Sequence, residues 1–497
     1  MPDVTGGDIG AESCDLLVVG GGINGVGIAR DAAGRGLSVV LVEKDDLGAA
    51  TSSASSKLIH GGLRYLEQYE FRLVAEALAE REVLLRIAGH LVWPARFVMP
   101  HVPGLRPRWM IRAGLLLYDH LARRQSLAGS RTVRLDRPPY DAGLRPGLVH
   151  GFEYADCRVD DARLVVENAL DAASRGARVL TRTALVSARR ERGRWRAVLS
   201  NGATLAARAI VNAAGPWVKE VLEARLGRPS ADRVRLVRGS HIVVPALYPG
   251  EHAFILQNDD RRVVFMIPYE ARFTLVGTTD VAHPSAAEPA RATDAEVEYL
   301  CRAVNRYLAR PVRPQDAIWT YAGVRPLYDD GGADPSKVTR DYALRVDDEA
   351  GEAPVLSVFG GKITTYRRLA EHALERLRPY FAGMGPPWTA STPLAGSDFG
   401  ASRAEARAAF FARHARLPLE IRQGLFRRHG ARAMQIAGDG DVGEHYGAGL
   451  TERELAWFIE REWARELDDV LWRRTKAGLV LEEAARRRVR AALERLA

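Results

Sequence analysis

"CDLLVVGGGINGVGIARDAAGRGLSVVLVEKDDLG", Cys14–Gly48 of a 497-residue chain, decides the fold. Leu16 to Val19 make an apolar run of strand length. Gly20-x-Gly22-x-x-Gly25 follows at once, and Ile28 to Ala33 continue as a helix that Gly34 or Gly36 can end. "LSVVLVE" is a second strand, closing on Glu43. Gly20 permits the tight turn, Gly22 lets backbone approach a pyrophosphate, and Gly25 lets the helix pack close to the strand. The helix start offers free N–H groups and a positive dipole end. Glu43 stands about 20 residues beyond the motif, where an acid accepts from ribose hydroxyls. A lone GxGxxG is as readily a Gly-rich turn without a ligand. Here the strand before, the helix after and the acid beyond all agree on a dinucleotide. NAD and FAD both fit these residues, whereas an acid at this place disfavours NADP.

The next stretch, "TSSASSKLIHGGLRYLE" (Thr51–Glu67), is too polar and Gly-rich for a core segment and too particular for a linker. "EFRLVAEALAEREVLLRIAGHL" has the apolar spacing of an amphipathic helix, and "WPARFVMPHVPGLRPRW" reads as irregular because of its prolines. A second α/β block spans about 150–217. Asp160-Asp161 start a helix there, Asn201-Gly202 make a hairpin turn, and a strand runs into "NAAGPW". Residues 230–325 are strand-rich, as in an antiparallel sheet laid over a ligand. "PVLSVFGGKITTYRRLAEHALERL" is strand, Gly-Gly, helix: a second helix start with backbone donors. "AGMGPPWTASTPLAGSDFG" reads as a linker, and the chain beyond it as helical, with Thr451-x-x-Glu454 a capping box. Trp457, Phe458 and Trp463 are most simply core contacts.

At 47% hydrophobic and 27% charged residues, the composition is that of a soluble globular protein, and the length implies more than one core. The net charge of +9 suits an anionic partner, although only six of the 71 basic residues are Lys and a general preference for Arg explains the excess equally well. Arg is scattered rather than arranged in a stripe with aromatics, which argues against nucleic acid. Cys14, Cys157 and Cys301 follow no metal spacing and imply no disulfide framework, so no metal is expected and the compartment is read as reducing. No apolar run reaches membrane-spanning length, and the first residues lack the features of a targeting segment.

The nucleotide-binding features come in pieces, 16–65, 180–217 and 355–367, which suits a long cofactor gripped at both ends. "DLLVVGGGINGVGIARDAAGRG", "ATSSASSKLIHGGLRYLE", "EYADCRVDDARLV", "NAAGPWV", "GSHIVVP", "VGTTD", "AGVRPL", "TRDY", "SVFGGKITTYRRLAEHAL" and "WRRTKAGL" occur in that order. Together they resemble the FAD-dependent sn-glycerol-3-phosphate dehydrogenases, the bacterial respiratory enzymes that reduce quinone. The tail has no EF-hand loop, unlike the calcium-regulated mitochondrial relatives.

The resemblance implies an α/β fold: a Rossmann-type FAD-binding domain (14–95, 150–225 and 320–382) with an interleaved antiparallel β-rich cap of the amino-acid-oxidase type (96–149 and 226–319). A linker (383–394) and a C-terminal helical domain (395–497) follow. It implies oxidation of sn-glycerol 3-phosphate to dihydroxyacetone phosphate, with FAD reduced and then reoxidised by quinone. The rival reading is a glycerol-3-phosphate oxidase that uses O2.

For the cofactor the implied residues are Gly20, Gly21, Gly22, Ile23, Asn24, Gly25 and Glu43; Thr51, Ser52, Ser53, Ser56 and Lys57; and His60, Gly61, Gly62 and Leu63. Val186, Ala213, Ala214, Gly215, Gly323, Gly360, Gly361, Lys362, Ile363 and Thr364 complete that set. A phosphate of charge near −2 needs cations, and Arg64, Arg325, Lys362 and Arg340 are the candidates, with Tyr65 as a hydroxyl donor. His241, at a strand start in the cap, is the expected base for the C2 hydroxyl, with His60 as rival. Arg325 or Lys362 would steady the developing alkoxide. "GLRPRWMIRAGLLLYDHLARR" fits equally a basic amphipathic helix on an anionic membrane and a helix packed on the core. The resemblance implies a cytoplasmic protein, peripheral on the inner face of the membrane, and leaves a homodimer open.

Overall fold

The computed structural model describes residues 12–102, 106–260, 262–329, 341–349, 351–400 and 402–496. Arg340, a candidate for the phosphate, lies outside them.

Two sheets organise the chain. In the first, the strands Val355–Phe359, Thr204–Asn212, Glu12–Val19, Val39–Val42 and Arg178–Leu180 lie side by side and parallel. Ala343–Asp347 closes one edge antiparallel, and the hairpin Leu185–Glu191/Arg194–Leu199 leans on Thr204–Asn212. The buried strands read as continuous apolar runs because both faces are covered. Helices Ile23–Gly34, Asp161–Ser174 and Tyr366–Leu377 pack on one face around Ile28, Val165 and Leu374. Trp195, Ile210 and Phe359 lie in the core of the other.

The second sheet is the cap. Its order is Val281–Ala282, Arg233–Pro245, Phe273–Gly277, Val263–Tyr269, Ala253–Gln257, Val92–Pro100, His150–Val159, Leu58–Ile59. Trp319–Asp329 pairs with Arg233–Pro245 along almost its whole length, and Arg131–Arg134 pairs with His150–Val159. Two expected boundaries therefore move. Residues 150–159 and 319–329, assigned above mostly to the FAD domain, are strands of the cap sheet. "WPARFVMP", expected to be irregular, is the body of strand Val92–Pro100. Its prolines are tolerated because it is hydrogen-bonded on both edges only around Phe97 and Val98, clear of Pro94 and Pro100.

Helix Phe71–Ile87 and helix Arg108–His120 cover part of the cap. The second of these carries both properties that its sequence left open. Ile111, Leu115 and Tyr118 are buried in the core, while Trp109 (70% exposed), Met110, Leu116 and Leu117 face outward.

Residues 383–394, expected to be a linker, are a packed strap. Trp388 lies under the Arg30 and Arg175 guanidiniums, Arg30 Nη2 donates to the Thr392 carbonyl at 3.1 Å, and Leu394 is fully buried. Beyond it, helices Arg403–Arg413, Leu419–His429, Glu452–Arg461 and Glu483–Leu496 build the C-terminal domain, with a small hairpin, His445–Gly447/Leu450–Thr451. Thr451 caps its helix as expected by accepting from Glu454 N–H. The Glu454 carboxylate does not complete the box. It takes two bonds from Arg428 and one from His429 Nε2.

That carboxylate belongs to a buried ionic network joining the C-terminal domain to helix Asp161–Ser174. Arg163 donates to Glu462 and to Glu167 (3.0 Å), Arg432 reaches Glu167 at 2.6 Å, and Arg163 Nη2 meets His429 Nδ1 at 3.3 Å. Glu167, His429 and Glu462 stand close enough to hold a metal ion, but guanidinium groups bond their carboxylates and one meets the imidazole. Burial pushes the His429 pKa down, and Arg163, Arg428 and Arg432 face Glu167, Glu454 and Glu462, with Arg474 Nε also 3.6 Å from Glu462.

Removing one partner from such a network strands buried charge. Arg163→Ala is expected to cost about 3–5 kcal/mol at this junction. Limited proteolysis should show cleavage within 387–497 at temperatures where the parent chain resists. A variant as resistant as the parent would refute the network's structural role.

Candidate active site

The first strand ends at Val19, and Gly20 turns the chain with φ +112°. A Cβ on Gly20 would stand 2.5 Å from the Ala213 carbonyl oxygen, and one on Gly25 1.9 Å from the Gly20 carbonyl oxygen. Helix Ile23–Gly34 thus starts almost in contact with the strand backbone. Its N-cap, Gly22, has no side chain to occupy the first-turn N–H groups. Ile23 N–H is met by Ser52 Oγ at 3.0 Å. Glu43 accepts from Gly21 N–H at 2.6 Å and from Asp45 N–H at 2.9 Å. Desolvation pushes the Glu43 carboxyl up, against the pull of those two N–H groups.

From this cradle runs a cavity of about 440 Å³. One end is walled by Glu43, Thr183, Leu185, Ala214 and Trp217; the other by His60, His241, Arg64, Arg325 and Lys362. Most of the residues implied for the cofactor line it. Gly20, Gly22, Ile23 and Asn24 do so at the cradle, and Thr51, Ser52, Ser56, Gly62 and Leu63 along one side. Ala213, Ala214, Gly215, Gly323, Gly360, Gly361, Ile363 and Thr364 line the remainder. A space lined both by phosphate-binding backbone and by cations fits FAD.

Some expected residues stand off the wall. Gly21 and Gly25 shape the cradle from behind. Ser53 bonds the Ala50 carbonyl, and Gly61 lies against Leu78 and the Tyr118 hydroxyl. Lys57 is the clearest correction. Its ammonium is buried on Asp161, at 2.9 and 3.0 Å from the two carboxylate oxygens, and it does not line the cavity. Val186 is exposed, because the strand register shifts between Leu185 and Ser187 and leaves Val186 outward while Leu185 takes the inward place.

At the far end, His241 is 3% exposed. Its Nε2 meets Ser56 Oγ at 2.8 Å, and its ring stacks on Tyr321 with centroids 4.7 Å apart and planes 10° apart. Gly277 leaves room for it: a Cβ there would stand 2.0 Å from His241 Cδ2. Burial pushes the His241 pKa well down, and Lys57 and Arg325 add to the effect. Desolvation also lowers His60, which holds Thr364 Oγ1 through its backbone N–H and sits edge-on to Phe265.

Arg325 Nη2 donates to the Thr279 carbonyl (2.7 Å) and pairs with Asp280 (2.8 Å); Arg64 approaches the same carboxylate at 3.7 Å. Lys362 Nζ lies 4.0 Å above the Tyr65 ring. Two guanidiniums, an ammonium and a neutral imidazole thus share one end of the cavity. Such a set can bind a phosphate and accept a proton from a neighbouring hydroxyl.

Asp280 and Trp217 were not singled out from sequence. Asp280 was legible only as the acid ending "VGTTD", a segment read as strand. Trp217 follows the Gly215-Pro216 turn, where Lys44 lies 4.6 Å over its ring.

Comparison with known proteins agrees with this layout. A glycerol-3-phosphate dehydrogenase from Pseudomonas aeruginosa is 53% identical over 479 residues, covering 95% of this chain and 93% of that one. A D-erythritol 1-phosphate dehydrogenase from Brucella abortus is 50% identical over 489 residues, 96% of each chain. The crystal structure of a glycerol-3-phosphate dehydrogenase from Bacillus halodurans, complexed with FAD, matches with a TM-score of 0.74 at 26% identity, over 97% of this chain and 94% of that one. Residues 387–497 match the C-terminal domain of alpha-glycerophosphate oxidase, and residues 15–367 match the family of FAD-dependent oxidoreductases. The cradle, the two-sheet architecture and these matches together place the chain in the FAD-dependent oxidoreductase family.

Proposed function

We propose that this protein oxidises sn-glycerol 3-phosphate to dihydroxyacetone phosphate and passes the electrons to a membrane quinone. The observation that carries the reading is the meeting of Arg64, Arg325, Lys362 and the buried His241 at one end of a cavity whose other end is a dinucleotide cradle. Bound FAD supplies the hydride acceptor and the redox centre from which quinone is reduced.

The chain's own residues do the rest. The helix start at Gly22–Asn24, with Ser52 beside it, would hold the pyrophosphate, and Glu43 would face the ribose. Gly360 to Thr364 offer backbone donors beside the flavin end. Arg64, Arg325 and Lys362 bind the substrate phosphate, with the Tyr65 hydroxyl beside them. Anchoring that end of a three-carbon molecule sets where C2 lies. His241 takes the C2 hydroxyl proton at Nε2, where Ser56 Oγ already marks a hydrogen-bonding position. Arg325 also steadies negative charge on the C2 oxygen as the proton leaves.

The relative that acts on D-erythritol 1-phosphate supports a second reading of substrate, a polyol phosphate one carbon longer. Comparing kcat/KM for the two phosphates separates them. The O2-using alternative is separated by peroxide yield against quinone turnover.

For the membrane, we propose the outward face of helix Arg108–His120. Trp109, Met110, Leu116 and Leu117 are exposed there, Arg108 stands at the helix start, and no described helix is long and apolar enough to cross a membrane. Such a face suits an anionic bilayer surface on the cytoplasmic side.

Three outcomes are expected. Anaerobic sn-glycerol 3-phosphate should bleach the flavin absorbance of the purified protein, and bound FAD that stays oxidised would sink the substrate assignment. Arg325→Ala should weaken substrate binding by about 2 kcal/mol or more, roughly 30-fold, with FAD content unchanged; equal loss of both would mean the residue serves the cofactor. The acid limb of flavin reduction should lie below pH 6.5. A base must be unprotonated to act, and a lowered pKa keeps His241 neutral to lower pH; a limb at or above 6.5 would exclude His241. A fourth concerns the surface. Replacing Trp109, Leu116 and Leu117 by Ser should abolish co-sedimentation with anionic vesicles while anaerobic bleaching persists, and undiminished sedimentation would exclude this helix.

A further inference from the structure

Four rings run in a line from the C-terminal domain to the cavity. Trp472 stacks on Trp319 with centroids 4.5 Å apart and planes 18° apart. Trp319 leans on Tyr321 at 4.7 Å and 36°, and Tyr321 stacks on His241 at 4.7 Å and 10°. Sheet register explains three of them. His241 lies opposite Tyr321, and Val243 opposite Trp319, across the paired strands Arg233–Pro245 and Trp319–Asp329. Trp319 and Tyr321 are two residues apart and share a face. Trp472 comes from elsewhere in the chain, from the segment "WRRTKAGL".

That segment is fastened on every side. Arg474 makes two bonds to Asp46, at 2.7 and 2.8 Å, and Arg473 a third at 2.6 Å. Lys476 Nζ donates to the Trp472 carbonyl at 2.6 Å and stands 3.7 Å from Asp160. Gly478 lies so close that a Cβ on it would come within 2.5 Å of the Trp472 ring. Trp472 is thus a fixed plate, and it packs against the cores of both the cap and the C-terminal domain.

At the other end, Ser56 holds one edge of the His241 ring, and Tyr321 holds its face. Tyr321 donates its hydroxyl to the Ser55 carbonyl at 2.8 Å. Its orientation further depends on Trp319, and that of Trp319 on what lies across from it.

We propose that Trp472 is a positioning residue for the base His241, acting through Trp319 and Tyr321. The proposal rests on the reading of His241 as the base. It gives the C-terminal domain a share in the reaction although no described residue beyond 387 lines the cavity. Stacked rings add modest energy beyond the area they bury, but a base displaced by about 1 Å can cost up to a hundredfold in rate. A weak contact with a large kinetic lever is what a positioning residue requires.

The effect has a signature that a general loss of stability lacks. The groups facing His241 are Tyr321, Ser56, Arg325 with its partner Asp280, and Lys57 with its partner Asp161. Letting Tyr321 tilt admits water to the imidazole and relieves the desolvation that lowers its pKa. The acid limb of flavin reduction then moves up in pH.

Trp472→Leu keeps apolar bulk without the ring, and Trp472→Phe keeps a ring. Flavin reduction by sn-glycerol 3-phosphate, followed anaerobically in the FAD-loaded protein, is the readout, together with FAD content, substrate Kd and pH profile. Trp472→Leu should slow reduction on the order of tenfold with FAD content and Kd unchanged and the acid limb raised, and Trp472→Phe should restore most of the rate. A wild-type rate and profile in Trp472→Leu would overturn the proposal. So would a loss of rate that merely follows lost FAD or lost folded protein, or one that Phe does not rescue and that leaves the pH limb unmoved. His241→Gln is measured in parallel. If it reduces flavin normally, the base assignment fails; if it is slow while Trp472→Leu is normal, only the role of Trp472 fails.

Discussion

Helix Ile23–Gly34 has to lie almost on the backbone of the strand before it, and the rest of the molecule is arranged around that approach. A side chain on Gly25 would collide with the Gly20 carbonyl, and one on Gly20 with the carbonyl of Ala213. The close approach leaves a helix start whose N-cap, Gly22, has no side chain of its own, with only Ser52 Oγ reaching the Ile23 N–H, and a helix start of this kind is an anion site. It also makes the site incomplete by itself. The groups meant for the other end of a long cofactor must come from distant parts of the chain, so the cap sheet is threaded through the Rossmann unit instead of following it. Asn24, in the first turn of that helix, donates to the Gly360 carbonyl and ties the two ends of the domain together.

Residues that carry local signals were legible in the sequence, and residues defined by distant partners were not. The first βαβ unit combines an apolar run, glycines at fixed spacing and an acid at the right distance, all within 30 residues. The "FGGK" turn and the helix after it are legible for the same reason. Strand Val92–Pro100 was missed because proline is a local signal for irregular structure, whereas the tolerance of a strand for proline depends on which edges its neighbours occupy. Lys57 was implied as a ligand for the cofactor by the family resemblance, in a stretch rich in hydroxyl residues. Its partner Asp161 is 104 positions away, and only folding brings the two together. The strap at 383–394 has the composition of a linker, yet Trp388 and Leu394 are held by surfaces that composition does not reveal.

The candidate site divides the same way. Arg325 and Lys362 stand out between residues that constrain the backbone, and His241 stands in the "GSHIVVP" motif, although it lies inside strand Arg233–Pro245 and not at its start as expected. Asp280 has no such setting. Its interest lies in pairing with Arg325 and approaching Arg64, a relation between segments more than 200 residues apart. A carboxylate there offsets part of the positive charge and keeps two guanidiniums apart but aligned before a phosphate arrives. The buried network around Arg163 and Glu462 is a counterpart in the scaffold: charges out of water, each set against opposite charge, at the seam where the C-terminal domain joins.

The interleaving also bears on how the protein is made. Strand Val355–Phe359 pairs with Thr204–Asn212, and helix Tyr366–Leu377 packs against helix Ile23–Gly34. A ribosome that has released the whole Gly-rich motif has still to synthesise more than 300 residues before the last parallel strand exists. Until then Val26, Ile28 and Ala29 have no complete cover, and the nascent chain presents one face of an apolar helix to solvent. Cofactor capture is therefore a late event in synthesis. Long-range pairing of this kind forms slowly, because chain entropy is lost before the contacts reward it. A cell that produces this protein faster than its last third can be threaded into place should accumulate apo-chains with that face uncovered, and supply of flavin alone would not rescue them.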